Sequence, residues 1–277
     1  MKILHSIKEC KKWRKSTVGT IGFVPTMGAL HVGHLSLIKT SQKKCQNTLV
    51  SIYINPTQFA QNEDFSSYPK TIESDLSQLK ALHVCAVFLP TDNEMYPNNI
   101  IDNFKYENSL FKKLEGKSRP HFFYGVTKIV SKLFDIIKPT HTFFGEKDAQ
   151  QSRIIKQMIV DLNYNIDFFS CPIIRNIDGL ALSSRNNYLN REEQKRASII
   201  YKSLLLIKKH ITHGDTRTRN LKQIFLKSIL TYPDFKVDYI SIACNVSLKE
   251  LSVWRPNSLI SAAVFYKKIR LIDNIVI

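Results

Sequence analysis

Short apolar runs alternate with amphipathic helical patterns through roughly the first 175 residues. Apolar runs bounded by proline or glycine predict buried strands at 20–25, 84–90 and 141–145. Apolar residues also recur from Val126 to Ile137 at spacings of three and four, which predicts a helix with one buried face. This alternation favours an α/β fold, a Rossmann-like doubly wound parallel sheet with helices on both faces.

The pattern changes in the last third of the chain. Two helical stretches, 191–211 and 217–230, are followed by three closely spaced apolar runs at 237–242, 259–266 and 269–272. Helices followed by clustered strands are typical of an α+β unit. We therefore predict two domains, residues 1–175 and a smaller C-terminal α+β domain of residues 176–277.

The net charge of +17 is the one unusual bulk property. An anionic partner such as nucleic acid would explain it, and so would a solvated lysine-rich surface. The basic residues occur in short pairs along the chain, such as Lys11-Lys12 and Lys267-Lys268, which favours the surface explanation. We expect neither a nucleic-acid nor a membrane partner, because no RNA-binding signature and no apolar run of roughly 20 residues occurs.

The five cysteines are scattered and include no C-x-x-C pair, so neither a disulfide framework nor a zinc site is indicated. No apolar run follows the basic N-terminus as it would in a signal peptide. A reducing cytoplasm is the expected location.

The stretch VPTMGALHVGHLSLI, from Val24 to Ile38, contains the most informative motif. It places a strand end, a Gly28 turn and then His31 and His34, with a helix expected to begin near His34. Ligands of open α/β sheets bind at the carboxyl ends of strands, and a helix N-terminus favours phosphate. Both histidines can donate hydrogen bonds to phosphate oxygens, and Gly33 lets a nucleotide approach the backbone. The alternatives are a metal-binding H-x-x-H pair or ordinary surface histidines; the strand–turn–helix context favours phosphate.

Two further polar segments contain residues suited to a nucleotide. GEKDAQQ follows the predicted strand 141–145, so Lys147 can neutralise phosphate charge and Asp148 can hold ribose hydroxyls, unless they only begin a solvated helix. In SSRN, Ser183, Ser184 and Arg185 offer two hydroxyls and a guanidinium to a leaving pyrophosphate. A serine nucleophile is not indicated, because the chain has no G-x-S-x-G elbow.

These motifs resemble those of a known family. H-V-G-H is similar to the H-x-G-H signature of the nucleotidyltransferase superfamily, and the longer string PTMGALHVGH resembles the pantoate–β-alanine ligase family. Further strings agree with that family in order and spacing: INPTQF (54–59), YPKT (68–71), SRP (118–120), FGEKDAQQ (144–151), DGLALSSRNNYL (178–189) and RLIDN (270–274). The resemblance therefore spans nearly the whole chain.

The resemblance implies an ATP-dependent condensation of pantoate with β-alanine through a pantoyl-adenylate, releasing AMP and pyrophosphate. It implies Mg²⁺ as the cofactor, a homodimer, a nucleotide- and pantoate-binding domain at 1–175 and a lid domain at 176–277. A nucleotidyltransferase that transfers AMP or CMP to a phosphate is the nearest alternative, and NPTQF and GEKDAQQ speak against it. A basic RNA-binding protein of the same fold is a more distant one.

The resemblance also implies a role for individual residues. The catalytic residues would be His31, His34, Lys147 and Arg185. The ATP site would comprise Met27, His31, His34, Gly145, Lys147, Asp148, Ser183, Ser184 and Arg185. The pantoate site would comprise Asn55, Gln58, Arg119 and Gln151. Asp75 and Gln78, one helical turn apart, would help to hold Mg²⁺, although by themselves they indicate only a solvated helix face.

One segment departs from the family pattern, S-R-P-x-H-F-R-G-V. This chain reads SRPHFFYGV, so that Phe122 replaces the histidine, Tyr124 replaces the arginine and His121 lies one position early, while Arg119 is retained. The change could weaken the handling of β-alanine or phosphate, or His121 could compensate. The sequence leaves both alternatives open.

Overall fold

The computed structural model describes residues 1–60, 63–97 and 104–277. The chain forms two compact units. Unit 1 comprises Met1–Asn108, His121–Glu146 and Gln151–Pro172; unit 2 comprises Ser109–Pro120, Lys147–Gln150 and Ile173–Ile277. Two short segments before residue 175 therefore belong to the second unit.

Unit 1 contains a six-stranded parallel sheet, as the alternating pattern predicts. Its strands are β1 (Lys2–Leu4), β2 (Ile21–Thr26), β3 (Asn47–Ile52), β4 (Ala86–Phe88), β5 (His141–Gly145) and β6 (Asp167–Cys171). The spatial order is β1-β4-β3-β2-β5-β6. The order reverses direction between β2 and β5, and ligands of doubly wound sheets bind at such a switch point, outside the carboxyl ends of the strands.

Helices cover both faces of this sheet. The helices of this part of the chain are α1 (Ile7–Ser16), α2 (Val32–Lys44), α3 (Ile72–Ala81), α4 (Asp92–Met95), α5 (Leu114–Ser118, in unit 2), α6 (Phe122–Ile137) and α7 (Ala149–Asp161). Val24 of β2 packs in one core cluster with Ile38 of α2 and Leu79 of α3. The preceding residue, Phe23, points to the opposite face, where its ring lies 6.2 Å from the Phe134 ring of α6. The predicted Rossmann-like doubly wound class is confirmed.

Unit 2 contains a three-stranded antiparallel sheet in the order β7-β8-β9, with β7 at Phe235–Cys244, β8 at Ser258–Tyr266 and β9 at Ile269–Val276. Its longer helices are α8 (Arg191–Ala197), α9 (Ile199–Thr212) and α10 (Thr218–Leu230). Apolar residues of α9, α10 and the sheet form one buried cluster, which includes Leu204, Phe225 and Ile260. The predicted small α+β sheet is present, but the helix expected over 191–211 is divided at Ser198.

The described residues include no helix with the length and apolar character that crossing a membrane would require.

Candidate active site

A tight turn follows β2 and is held by a buried carboxylate. Gly28 and Ala29 both adopt positive φ angles, +84° and +49°, a region that is unfavourable for alanine. The Asp75 carboxylate, 1% exposed, accepts the Ala29 N–H at 2.9 Å and the Leu30 N–H at 2.8 Å. Thr71 Oγ1 donates to the same carboxylate at 3.1 Å. Asp75 therefore fixes the backbone that leads from Met27 into the histidine motif.

His31 and His34 cap the helix that they begin. Helix α2 starts at Val32, two residues earlier than predicted, with His31 as the N-cap. The Gly33 N–H donates to His31 Nδ1 at 3.1 Å, and the His31 N–H donates to His34 Nδ1 at 3.4 Å. The Gly33 N–H, one of the donors at the helix N-terminus, is therefore bonded to the His31 ring, and the binding of phosphate at this helix end stays a prediction.

In this arrangement Nδ1 of each ring accepts a hydrogen bond from a backbone N–H. A neutral imidazole whose Nδ1 accepts a hydrogen bond has its proton on Nε2. The rings of His31 and His34 lie side by side, with centroids 4.1 Å apart. In that tautomer each ring offers an Nε2–H donor, which can bind a phosphate oxygen.

The predicted metal ligands Asp75 and Gln78 lie on α3. Both Asp75 oxygens accept hydrogen bonds, and Gln78 Nε2 lies 3.4 Å from Ser74 Oγ, which it can reach as a donor. Among residues 1–60, 63–97 and 104–277, no group of three or more His, Cys, Asp or Glu side chains is arranged to hold a metal ion. The contacts of Asp75 fit a structural role better than direct coordination, and its role towards Mg²⁺ stays a prediction.

The NPTQ segment forms a short 3₁₀ helix, Pro56–Gln58, after β3. Asn55, 1% exposed, donates through Nδ2 to the Gly125 carbonyl at 3.1 Å and accepts from Tyr96 Oη at 2.8 Å. A Cβ atom on Gly125 would lie 2.2 Å from the Thr57 carbonyl oxygen, so α6 approaches this segment as only glycine allows. Asn55 thereby holds the turn that carries the half-buried Gln58.

The end of β5 is open. A Cβ atom on Gly145 would meet no atom within 4 Å, so there is space for a ligand to approach this backbone. The neighbouring Glu146 accepts from Arg153 at 2.7 Å, and Gln151 is half-buried near the start of α7.

In unit 2, Lys147 and Asp148 follow one another in a 3₁₀ turn, with Lys147 Nζ 3.7 Å from Asp148 Oδ1. Lys147 is 20% exposed, and its backbone carbonyl accepts from Asn274 Nδ2 at 3.0 Å. A partly buried lysine whose main chain is held by a hydrogen bond is suited to bind phosphate with its ammonium as a point charge.

The SSRN segment also belongs to unit 2. The Arg185 N–H donates to Ser183 Oγ at 3.3 Å, where the 3₁₀ helix Ser184–Tyr188 begins. Asn186 Nδ2 donates to the Ala181 carbonyl at 3.1 Å, and Ser184 is buried. The segment is thus an ordered turn, with Arg185 only partly buried.

The predicted residues therefore form two groups. Those of unit 1 are Met27, His31, His34, Asn55, Gln58, Asp75, Gln78, Gly145 and Gln151; those of unit 2 are Arg119, Lys147, Asp148, Ser183, Ser184 and Arg185. Within unit 1 the structure ties Asp75 directly to the turn before His31. Within unit 2 it ties Lys147 to β9 through Asn274.

Comparison with known proteins identifies the family. The family model described as pantoate-beta-alanine ligase matches residues 2–276. The chain belongs to the pantoate–β-alanine ligase family. Pantothenate synthetase from Thermosipho africanus is 46% identical over 280 residues, covering 100% of both chains, and that from Clostridium botulinum strain Loch Maree is 43% identical, covering 99% and 98%.

Two solved structures of pantothenate-forming ligases are similar to this chain over nearly its whole length. A pantothenate synthetase from Thermus thermophilus has a TM-score of 0.94 at 34% identity, with 99% of each chain covered. A pantoate-beta-alanine ligase from Francisella tularensis, described as complexed with beta-gamma ATP and beta-alanine, has a TM-score of 0.79 at 34% identity, covering 100% and 97%.

At SRPHFFYGV, where this chain departs from the ligase pattern, Tyr124 and Phe122 both have defined contacts. Tyr124 Oη donates to the Phe104 carbonyl at 2.7 Å, and the two rings lie 6.0 Å apart. The Phe122 ring packs edge-on against Phe123 at 5.0 Å, and His121 is exposed at the N-cap of α6. Arg119 ends helix α5, where its N–H donates to the Glu115 carbonyl.

Several buried side-chain contacts were missed from the sequence. Gln150, 3% exposed, accepts the Glu115 N–H and donates to the Leu110 and Lys113 carbonyls. Arg175 pairs with Asp273. The family strings contained Gln150 and Asp273, but nothing local in them indicates a partner tens of residues away.

Proposed function

We propose that this chain condenses pantoate with β-alanine to pantothenate, using ATP and passing through pantoyl-adenylate. The observation that supports this most strongly is the H-V-G-H motif at the carboxyl end of β2, in a chain that matches the ligase family from residue 2 to residue 276. The description of the Francisella tularensis relative, with beta-gamma ATP and beta-alanine bound, supports ATP and β-alanine as substrates.

In the first half-reaction, a pantoate carboxylate oxygen forms a bond to the α-phosphorus of ATP, and the bond to the pyrophosphate oxygen breaks. Negative charge grows on the phosphate oxygens, so positioned donors and cations lower the barrier. We assign this stabilisation to the Nε2–H groups of His31 and His34 and to the charges of Lys147 and Arg185. No protein nucleophile is required.

The other proposed ATP-binding residues are assigned by their position in the sheet or by the chemistry of their side chains. Gly145 and Met27 lie where the backbone leaves β5 and β2, at the switch point of the sheet. Asp148 is assigned to the ribose hydroxyls. Ser183 and Ser184 are assigned to the pyrophosphate with Arg185, because hydroxyls and a guanidinium suit its oxygens.

Pantoate is assigned to Gln58, Gln151, Asn55 and Arg119. Gln58 lies on the 3₁₀ turn after β3, next to the switch-point strand β2. The side-chain amides of Gln58 and Gln151 can both bind a carboxylate or a hydroxyl. The buried contacts of Asn55 support a contribution through the turn that it holds.

In the second half-reaction, the unprotonated amine of β-alanine attacks the carbonyl carbon of the adenylate. The carbon–nitrogen bond forms, the bond to the AMP oxygen breaks, and the amine loses a proton. Exclusion of water protects the anhydride until the amine arrives.

Mg²⁺ is the proposed cofactor. It would neutralise phosphate charge, and such ions are commonly bound through one or two carboxylates plus the substrate phosphates. Because Asp75 is buried and already accepts from two backbone N–H groups, no step of the proposed reaction depends on metal coordination by Asp75 or Gln78.

A homodimer in the cytoplasm completes the proposal, with a nucleotide- and pantoate-binding domain at 1–175 and a lid domain at 176–277. Sedimentation velocity of the purified chain tests the dimer, which predicts a species of twice the 32.0 kDa chain mass.

Isotope transfer tests the chemistry. Pantoate labelled with ¹⁸O in its carboxylate should give AMP containing one ¹⁸O atom, with the other retained in pantothenate. Formation of ADP, with the label in inorganic phosphate, would indicate an acyl-phosphate route and contradict the proposal.

A further inference from the structure

Asp273 and Asn274 of β9 have no part in the reaction proposed above, yet both side chains are buried, 4% and 3% exposed. Burying a carboxylate and an amide is unfavourable unless both are hydrogen-bonded. The hydrogen-bond partners of Asp273 and Asn274 therefore indicate the role of these two residues.

Asn274 contacts the proposed phosphate-binding lysine through the backbone. Its Nδ2 donates to the Lys147 carbonyl at 3.0 Å, across 127 positions of sequence. The bond fixes the main chain from which the Lys147 side chain extends.

Asp273 contacts a second element through an arginine fork. Arg175 Nη1 and Nη2 donate to its two carboxylate oxygens at 2.6 and 2.8 Å, and the Asn274 N–H donates to the same carboxylate at 2.7 Å. The guanidinium also lies 3.5 Å from the Tyr201 ring centroid. Burial raises the pKa of Asp273, and the charges of Arg175 and Lys147 oppose that rise.

Arg175 leads directly to the SSRN segment. Arg175 pairs with Ala181 in an antiparallel bridge, and the Leu182 N–H donates to the Ile174 carbonyl at 2.9 Å. Arg175 Nη1 also donates to the Gly179 carbonyl at 3.1 Å. The next residue after this short hairpin is Ser183.

We infer that Asp273 and Asn274 are positioning residues that hold Lys147 and the Ser183–Arg185 segment in a fixed relation within unit 2. Asn274 acts on the lysine backbone, and Asp273 acts on the serine segment through Arg175. Neither touches the reacting atoms. The inference rests on the proposed function, because it requires both elements to bind ATP phosphates.

A double-mutant cycle tests the Asn274 contact. Asn274→Ala removes the donor, and Asn274→Asp keeps the shape without it. Each should lower kcat of pantoate-dependent pyrophosphate–ATP exchange about 10- to 100-fold, since small displacements of a catalytic group are costly. The KM for β-alanine in the full reaction should not change. Asn220→Ala, on the exposed surface of α10, makes the same substitution away from the site and should match the parent.

The cycle also separates positioning from general destabilisation. In a Lys147→Ala background, Asn274→Ala should lower the rate less than about 2-fold further, because its effect passes through the lysine. Arg175→Lys keeps the charge but not the two parallel hydrogen bonds to Asp273. In an Arg185→Ala background it should likewise lower the exchange rate less than about 2-fold further.

Asn274 variants that exchange at the parental rate, or losses that multiply in the double mutant, would overturn the inference while leaving the proposed role of Lys147 intact. A Lys147→Ala variant with parental exchange would instead refute the role of Lys147, and the inference with it.

Discussion

Replacing Asp75 by alanine removes the carboxylate that holds the turn before His31. Two buried N–H groups, those of Ala29 and Leu30, then lose their acceptor. Leaving a buried donor unsatisfied costs about 1–3 kcal/mol, so the two together predict a loss of about 3 kcal/mol or more in the free energy of unfolding. The positive φ of Ala29 adds to the tendency of the turn to relax.

Thermal melting in EDTA, without nucleotide, measures this loss directly. For a chain of this size, about 3 kcal/mol corresponds to a fall in Tm of roughly 6–12 °C. Glu73→Ala is the matched control, because Glu73 is an exposed acidic residue in the first turn of the same helix. That control should change the free energy of unfolding by less than about 0.5 kcal/mol.

The absence of Mg²⁺ makes the experiment decisive about the role of Asp75. A residue that serves only as a metal ligand contributes nothing to stability in EDTA, whereas a carboxylate bonded to the backbone contributes fully. If Asp75→Ala melts within about 1 °C of Glu73→Ala, the Asp75 carboxylate does not stabilise the turn.

Three further predictions concern other parts of the chain. His31→Asn should keep the Tm, because asparagine is a good N-cap, yet lower the rate of AMP formation about 100-fold or more by removing the Nε2–H donor. His31→Ala should lower both the Tm and the rate of AMP formation, as melting and rate assays would reveal. Gly125→Ala, whose Cβ would lie 2.2 Å from the Thr57 carbonyl oxygen, should cost about 1–3 kcal/mol and raise the KM for pantoate; an unchanged Tm and KM would contradict the close approach. Hydrogen bonds from Ser247 lower the pKa of Cys244 to about 7, and the reactive thiolate forms above that value. The rate at which Cys244 reacts with iodoacetamide should therefore rise with pH through a midpoint near 7. Mass spectrometry across pH 5–9 checks this, and a midpoint above 8.5 would refute it.

The fold was predictable because parallel strands that are buried on both faces appear as continuous apolar runs, as in β2 and β5. The first strand and helix were missed. Lys2–Leu4 is too short to show a period, although Ser6 and Glu9 form a capping box that marks the start of α1.

The site was predictable only in part. Chemistry that depends on residue type and local spacing, such as the two histidines three positions apart, is visible in the sequence. The contacts of Asp75 with Leu30 span 45 positions and those of Asn274 with Lys147 span 127. Because hydrogen bonds over such separations leave no local period or spacing, the structural roles of Asp75 and Asn274 appear only once the chain is folded.

AMP formation by the purified protein tests the central claim most directly. The protein would receive MgATP with pantoate alone, with β-alanine alone, and with both. The ligase reaction predicts AMP turnover only with both substrates, and pyrophosphate–ATP exchange with pantoate alone. A folded protein that forms no AMP in any mixture, or that forms it equally without β-alanine, would contradict the assignment.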